Sequence, residues 1–284
     1  MIKQPFVSVL MPIYNASAYL REALESVLQQ TFTNFELLVM DDGSTDNSIE
    51  IVNSFHDQRI RLIKNTHNFI ATLNKGIDVA AGKYVARMDA DDVMLPHRLE
   101  TQFKFMESHP EIDICGSYAE SFGIKQNVMQ SATEHKKIIA SLLLNNSIIH
   151  PTIMLRRSIF ENNAALRYPE GYLCAEDYKL WTVLAANGLH FATIPEVLLR
   201  YRRSLTQVTE RNFDDMFESS LRIRMEYAQL VMEQIVEKEN RYFDLFEQLI
   251  DLSNEGLINQ ISLTHIVYQV YINFLKDIPV HLSK

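Results

Sequence analysis

The residues best suited to chemistry are carboxylates set close together. Asp89-Ala90-Asp91 places two acids one residue apart, and Asp92 follows directly. Two carboxylates so spaced at a strand end can converge on one hard cation. A divalent ion that neutralises phosphate is usually held by one or two carboxylates plus phosphate oxygens. The third acid adds repulsion unless a cation or a helix N-terminus is near. The same residues also suit a solvated turn that caps a helix starting near Pro96, and Asp-x-Asp alone favours that plainer role. Asp41-Asp42-Gly43-Ser44 is the second group. Its residue types serve a strand-to-helix turn, and serve equally well to accept hydrogen bonds from a nucleobase or ribose. Glu176-Asp177 opens a helical stretch, where the helix dipole favours acids whatever else they do.

What lifts the first two groups is the set of elements that must carry them. Val7 to Met11 is a short apolar run closed by Pro12. Helical spacing follows over Ala18 to Gln30, with Ser17 in the cap position. Phe35 to Met40 reads as a second strand, Ile60 to Ile63 as a third and Tyr84 to Met88 as a fourth, with helices between them and a helix over Ile70 to Ala80. Mainly apolar, non-alternating strands that take turns with helices imply a parallel sheet covered on both faces. Ligands of such α/β sheets bind beyond the carboxyl ends of the strands. Three of those ends, Pro12 to Asn15, Asp41 to Ser44 and Asp89 to Asp92, then share one edge and make an acidic lip. Further strands are expected over Ile112 to Tyr118, Pro151 to Leu155, His190 to Ile194 and Val197 to Tyr201. Helices are expected over His135 to Leu144 and Glu176 to Asn187, the latter stopped by Gly188.

After about residue 210 the chain becomes helical: Phe213 to Glu239, Tyr242 to Leu252 and Ser262 to Leu275. The expected organisation is a catalytic domain over 1–209 and a helical appendage over 210–284, whose aromatics pack a core. Composition excludes whole classes of function. Acids outnumber bases 36 to 27 in 284 residues, which argues against a general nucleic-acid binder. Thirteen acids against seven bases fall within 210–284, so the appendage is no electrostatic membrane anchor. Two distant cysteines, Cys115 and Cys174, make neither a disulfide framework nor a zinc site. Met1 to Gln4 leads straight into a strand without a leader pattern, and no run approaches a membrane span. A cytoplasmic protein is expected.

Six blocks in order make the chain resemble the family 2 glycosyltransferases: Val7 to Asn15, Ser26 to Phe32, Phe35 to Ser44, Leu73 to Ile77 with Ala86 to Asp92, His150 to Thr152, and Ala175 to Trp181. The resemblance covers residues 5 to about 209. It implies an α/β fold of the GT-A type, a mixed and mostly parallel sheet flanked by helices. It also implies a nucleotide-diphospho-sugar donor, UDP being the family's commonest nucleotide, with Mn²⁺ or Mg²⁺ and inversion at the anomeric carbon. Position by position, it implies that Pro12 and Tyr14 line the uracil pocket and that Asp42 hydrogen-bonds the base with Asp41 beside it. Asn74 and Arg87 lie near the donor. Asp89 meets the ribose or the metal's water shell, and Asp91 ligates the metal. Asp177, in the Glu176-Asp177 pair, is the general base. The implied acceptor is a glycan, lipid-linked or glycoprotein hydroxyl, reached by peripheral association with the inner face of the membrane.

The chain also departs from the family. Where an Arg-x-His motif often completes the metal shell, Arg202-Arg203-Ser204 stands, with Ser204 at the histidine position. Arg202 and Arg203 then either meet the diphosphate or are solvated, and His150 is a further candidate contact. His67-Asn68-Phe69-Ile70 replaces the usual glycine loop before Asn74. A sugar-nucleotide pyrophosphorylase needs a glycine-rich basic loop after the first strand; Tyr14 to Ser17 lacks it. A dinucleotide oxidoreductase needs G-x-G-x-x-G there, and none is present. An inactive sugar-nucleotide-binding scaffold is opposed by Asp42, Asp89, Asp91 and Asp177 occurring together. A homodimer through the C-terminal helices is the remaining partner expectation.

Overall fold

The structure, a computed structural model, describes residues 4–161, 163, 165–204 and 212–277. The domain boundary expected at 209–210 lies outside them. The described residues of 1–131, 149–168 and 191–207 form one compact unit, and those of 132–148, 169–190 and 208–284 form another. Each is taken by itself.

In the first unit, β1 (Val7–Ile13) and β2 (Phe35–Asp41) are buried along their whole length. Strands without a polar face must be central and covered on both sides. Leu20, Ala23, Leu24 and Val27 form the buried stripe of α1 (Leu20–Leu28) and share one apolar cluster with Val7, Val9, Met11 and Ile13. On the other face, α3 (Phe69–Val79) approaches β1 through Gly76, where an added Cβ would lie 2.2 Å from Leu10 Cδ1. The remaining elements are α2 (Ser48–Asn53), β3 (Ile60–Lys64), β4 (Tyr84–Arg87), β5 (Val93–Met94), α4 (Arg98–Ser108), β6 (Ile114–Gly123), β7 (Asn127–Met129), β8 (Met154–Arg156) and β9 (Phe191–Arg203).

The strands run in the order β3-β2-β1-β4-β8-β6-β9-β5, with β7 beside β6. β3, β2, β1 and β4 are parallel, β6 and β9 are parallel to each other, and β8, β5 and β7 pair antiparallel. Register pairs Ile13 with Asp41 and Leu10 with Arg87, so the carboxyl ends of β1, β2 and β4 meet at one edge, as the sequence implies.

Three local expectations change. The two closing strands are one, β9, whose pairing with β6 jumps from Ile194 to Val197. Pro195 has no N–H to give to a ladder, so the chain bulges past it instead of ending. Ser17 does not cap α1. The carbonyl of Ala16 accepts from the N–H groups of Tyr19 (3.1 Å) and Leu20 (3.0 Å), while the Ser17 N–H turns to Asp46 at 3.0 Å. Pro151 belongs to a single 3-10 turn, His150–Thr152, and the strand begins only at Met154.

The second unit is helical: α5 (His135–Ser141), α6 (Glu176–Ala186), α7 (Phe213–Lys238), α8 (Phe243–Asn254) and α9 (Gln260–Asp277). α7 packs on α6 and α9, and α9 packs on α5 and α8. Ile223, Tyr227, Val231 and Ile235 are the buried stripe of α7, at helical spacing. Phe246, Tyr271 and Phe274 are buried too, as expected of core aromatics, whereas Phe243 is exposed. Each buried side chain of this size contributes about 1.5–3 kcal/mol. Two hydroxyls are satisfied inside: Tyr227 donates to the Ile139 carbonyl at 3.2 Å and Tyr178 to that of Leu142 at 2.5 Å. Among the described residues no helix is long and apolar enough to cross a membrane.

Candidate active site

The turn after β2 is closed by its own hydrogen bonds. Asp42 is buried, and its Oδ1 accepts from the Asn68 N–H (2.8 Å) and the Thr72 hydroxyl (2.7 Å) at the start of α3. Its Oδ2 lies 2.9 Å from His67 Nδ1. The His67 ring stacks on Tyr14, with centroids 4.2 Å apart. Asp41 is buried as well and accepts from the Ser44 N–H at 3.1 Å. Asn15, at φ 48, receives the N–H groups of Thr45 (2.8 Å) and Asp46 (3.3 Å) on its side-chain oxygen. Burial raises the Asp46 carboxyl, but hydrogen bonds from Ser48 and Ser17 outweigh it and hold the group at about 2. Tyr14 remains 48% exposed, so its ring offers an open face beside this rigid turn.

The turn after β4 is different. Asp89 pairs with Arg87 at 2.7 Å. Asp91 is pushed up to about 6, chiefly by burial and then by Asp89. Asp92 is pushed well above the carboxylate range by burial, Asp89 and Asp91. It accepts the Arg202 N–H on Oδ1 at 2.8 Å, while its buried Oδ2 has no partner. Three carboxylates with too few donors are what a hard cation would relieve. Among the described residues no group of three or more His, Cys, Asp or Glu is arranged to hold a metal. Asp91 and Asp89 are the residues of this turn that would hold such an ion.

The other candidates of this unit have work elsewhere in the fold. Asn74 clamps the backbone of Tyr168, donating to its carbonyl at 2.9 Å and accepting its N–H at 3.0 Å. His150 Nε2 lies 2.7 Å from the Tyr168 hydroxyl, and burial, with Arg87 adding to it, pushes its pKa well below the ordinary value. Arg87 Nε is itself buried without a partner. Arg202 donates from Nε to the Asp91 carbonyl at 2.7 Å, pairs with Glu22, and lies over the rings of Tyr19 (4.1 Å) and Phe122 (4.4 Å). It is neither solvated nor aimed at open space; it fastens the acidic turn. Arg203 lies over the Tyr201 ring at 5.2 Å, with a buried Nε that has no partner. Pro12 is inside β1, two residues before Tyr14.

In the second unit, Glu176 and Asp177 form the first turn of α6. Asp177 Oδ1 accepts the Tyr178 N–H at 2.7 Å, and Oδ2 accepts from Asn146 Nδ2 at 2.8 Å. The chain enters this turn through Cys174 at φ 55, a left-handed conformation uncommon outside glycine.

Residues 8–163 match the profile of Glycosyl transferase family 2. The chain is a family 2 glycosyltransferase. An uncharacterized glycosyltransferase of Haemophilus influenzae is 32% identical over 237 residues, 78% of this chain and 73% of that protein. The Escherichia coli UDP-Glc:alpha-D-GlcNAc-diphosphoundecaprenol beta-1,3-glucosyltransferase WfgD is 30% identical over 74% of this chain and 82% of its own. S. aureus TarS 1-349 in complex with UDP-GlcNAc is similar in fold, with a TM-score of 0.66 at 20% identity over 84% of this chain and 72% of that one. Against a longer TarS chain the coverage is 43%. The mannosyltransferase PcManGT from Pyrobaculum calidifontis, in complex with GDP-Man and Mn²⁺, gives a TM-score of 0.55 at 15% identity over 96% of this chain and 88% of that one. This glycosyltransferase thus has the GT-A fold and transfers sugar from a nucleotide sugar.

Several of its residues near the candidate groups escape sequence reasoning. Asn146 sits in a polar stretch, 31 positions from the aspartate it holds. Glu22 is one of two acids on the exposed face of α1. His67 was visible only as a departure from the family pattern, and that departure was the usable signal.

Proposed function

We propose that this glycosyltransferase moves a hexose (glucose, galactose or an N-acetyl form) from a UDP-sugar to a hydroxyl of a glycan acceptor, with inversion at the anomeric carbon. The observation that carries the reading is the turn after β4, where Asp89 and Asp91 crowd together at the ligand edge of the sheet and the neighbouring Asp92 lacks a donor for Oδ2. Mn²⁺ or Mg²⁺, held by Asp91 with Asp89, would supply positive charge to the leaving diphosphate. Arg87 orients Asp89 through their ion pair, and Arg203, whose Nε has no partner, would be the cation for a phosphate oxygen. The stacked Tyr14 and His67 rings offer a platform for the base, kept rigid by Asp42 and Asp41. Asp177, with Glu176 beside it, takes the proton of the acceptor hydroxyl as the new bond forms.

Two relatives support the donor: WfgD is named for UDP-Glc and TarS binds UDP-GlcNAc. WfgD is also named for a diphosphoundecaprenol acceptor, which supports a lipid-linked acceptor. UDP release from UDP-glucose, UDP-galactose and UDP-N-acetylglucosamine, with and without Mn²⁺, tests the reading. Mn²⁺-dependent release from one of the three is expected, with about a thousandfold less from Asp91→Ala. Equal release with and without the ion would overturn it.

A further inference from the structure

The long helix α7 lies beyond the residues that match the family, and one turn of it is spent on the segments that hold Asp177. Glu226 accepts on Oε2 from the Tyr172 hydroxyl (2.8 Å) and from Lys179 Nζ (2.6 Å). Those partners sit five residues before Asp177 and two after it. Arg222, one turn earlier, donates to the Gly171 carbonyl and lies over the Tyr172 ring at 4.0 Å. Between Tyr172 and Asp177 the chain passes through the left-handed Cys174, a conformation that persists only where its surroundings fix it. The second contact of the carboxylate is anchored to the same turn. Asn146 donates to Asp177 Oδ2, and the stretch leading to it is held by Arg224 Nε on the Leu143 carbonyl at 3.2 Å.

We infer that Glu226, backed by Arg222, is a positioning residue for Asp177, and that this turn of α7 is the mount of the base. The inference rests on Asp177 being the base. Ordinary packing would explain one such contact. It does not explain why Arg222, Arg224 and Glu226, within five positions of one helix, reach both the segment carrying Asp177 and the segment carrying its side-chain partner. A carboxylate held this way can be misplaced from a distance, and a displacement of about 1 Å can cost up to a hundredfold in rate.

The test uses the full chain and four proteins: wild type, Glu226→Ala, Tyr172→Phe and Asp177→Asn. The measurements are kcat and donor KM across the neutral pH range, donor affinity by calorimetry with Mn²⁺ present, and Tm. Glu226→Ala is expected to lower kcat about tenfold or more and to move the acidic limb of the pH–rate profile, with donor affinity and Tm retained. Tyr172→Phe is expected to act in the same direction, by about threefold. The inference is overturned if both variants keep the wild-type kcat and pH profile. It is also overturned if kcat, donor affinity and Tm fall in parallel, the mark of a merely structural contact. Should Glu226→Ala not fold, Tyr172→Phe decides by the same criteria. Asp177→Asn transferring at the wild-type rate is a separate result: it removes the base assignment itself, and the inference with it.

Discussion

Two acidic turns flank β1 in this fold, and they look alike in sequence yet behave as opposites. Asp41-Asp42, after β2, meets backbone N–H groups, a threonine hydroxyl and a histidine. Asp89 to Asp92, after β4, meets chiefly its own carboxylates, with one arginine on Asp89 and one N–H on Asp92. The first turn is complete as a piece of protein. The second leaves Asp92 Oδ2 buried without a partner. Both edges are acidic, with two aspartates at the first and three at the second; the donors that neighbouring elements aim at each also differ. α3 begins beside Asp42, which receives the Asn68 N–H and the Thr72 hydroxyl, whereas among the described residues no helix N-terminus donates to Asp91.

The contrast can be broken from either side. The largest expected effect is on turnover: Asp91→Ala should reduce metal-dependent UDP release by about a thousandfold, the scale of losing a main electrostatic stabiliser of a leaving group. Next is Asp42→Ala, which strands the Asn68 N–H and the buried Thr72 hydroxyl. It should cost about 2–4 kcal/mol in stability, seen as a lower Tm with and without ligand.

A third prediction has the opposite sign. Asp91 sits at about 6 in the fold against an ordinary 3.8, so ionising it costs more folded than unfolded. The metal-free protein should lose stability as pH rises from about 4 through 6. Asp91→Asn should therefore stabilise it at neutral pH, by on the order of 1–3 kcal/mol, while removing activity. Asp46, in the saturated turn, works the other way. Its carboxyl is held at about 2, so its contribution is present above 3.8 and is lost as pH falls through 2. Melting curves against pH for wild type and Asp91→Asn separate the two. The smallest effect is expected from Arg202→Lys, which keeps the charge but cannot reach the Asp91 carbonyl, Glu22 and two rings with one planar group. The Mn²⁺ concentration for half-activation should rise about threefold, a loss near 0.7 kcal/mol.

Much of the first unit was legible in the sequence because β1, β2 and α1 obey simple patterns: mainly apolar, non-alternating strands and an i, i+3, i+4, i+7 stripe. The common edge of Asp41 and Asp89 followed from the parallel order alone. What could not be read depends on partners far along the chain. β5 is two residues long and exists only because β9 returns to it, about a hundred residues later. Arg202 reads either as a diphosphate contact or as a solvated cation, and the sequence does not show that Asp91 and Glu22 lie beside it. Asn74 and His150 look like ligand contacts by pattern, but both spend hydrogen bonds on Tyr168. The anchors on α7 carry no motif, since Glu226 is one of thirteen acids in that part of the chain.

The central claim is that the turn after β4 is built to receive a divalent cation together with a nucleotide diphosphate. Calorimetric titration of Mn²⁺ into the protein with UDP present tests it most directly. One ion per chain should bind to the wild type, and binding should be lost in Asp91→Asn while Asp42→Asn retains it. Undiminished Mn²⁺ binding by Asp91→Asn would contradict the account.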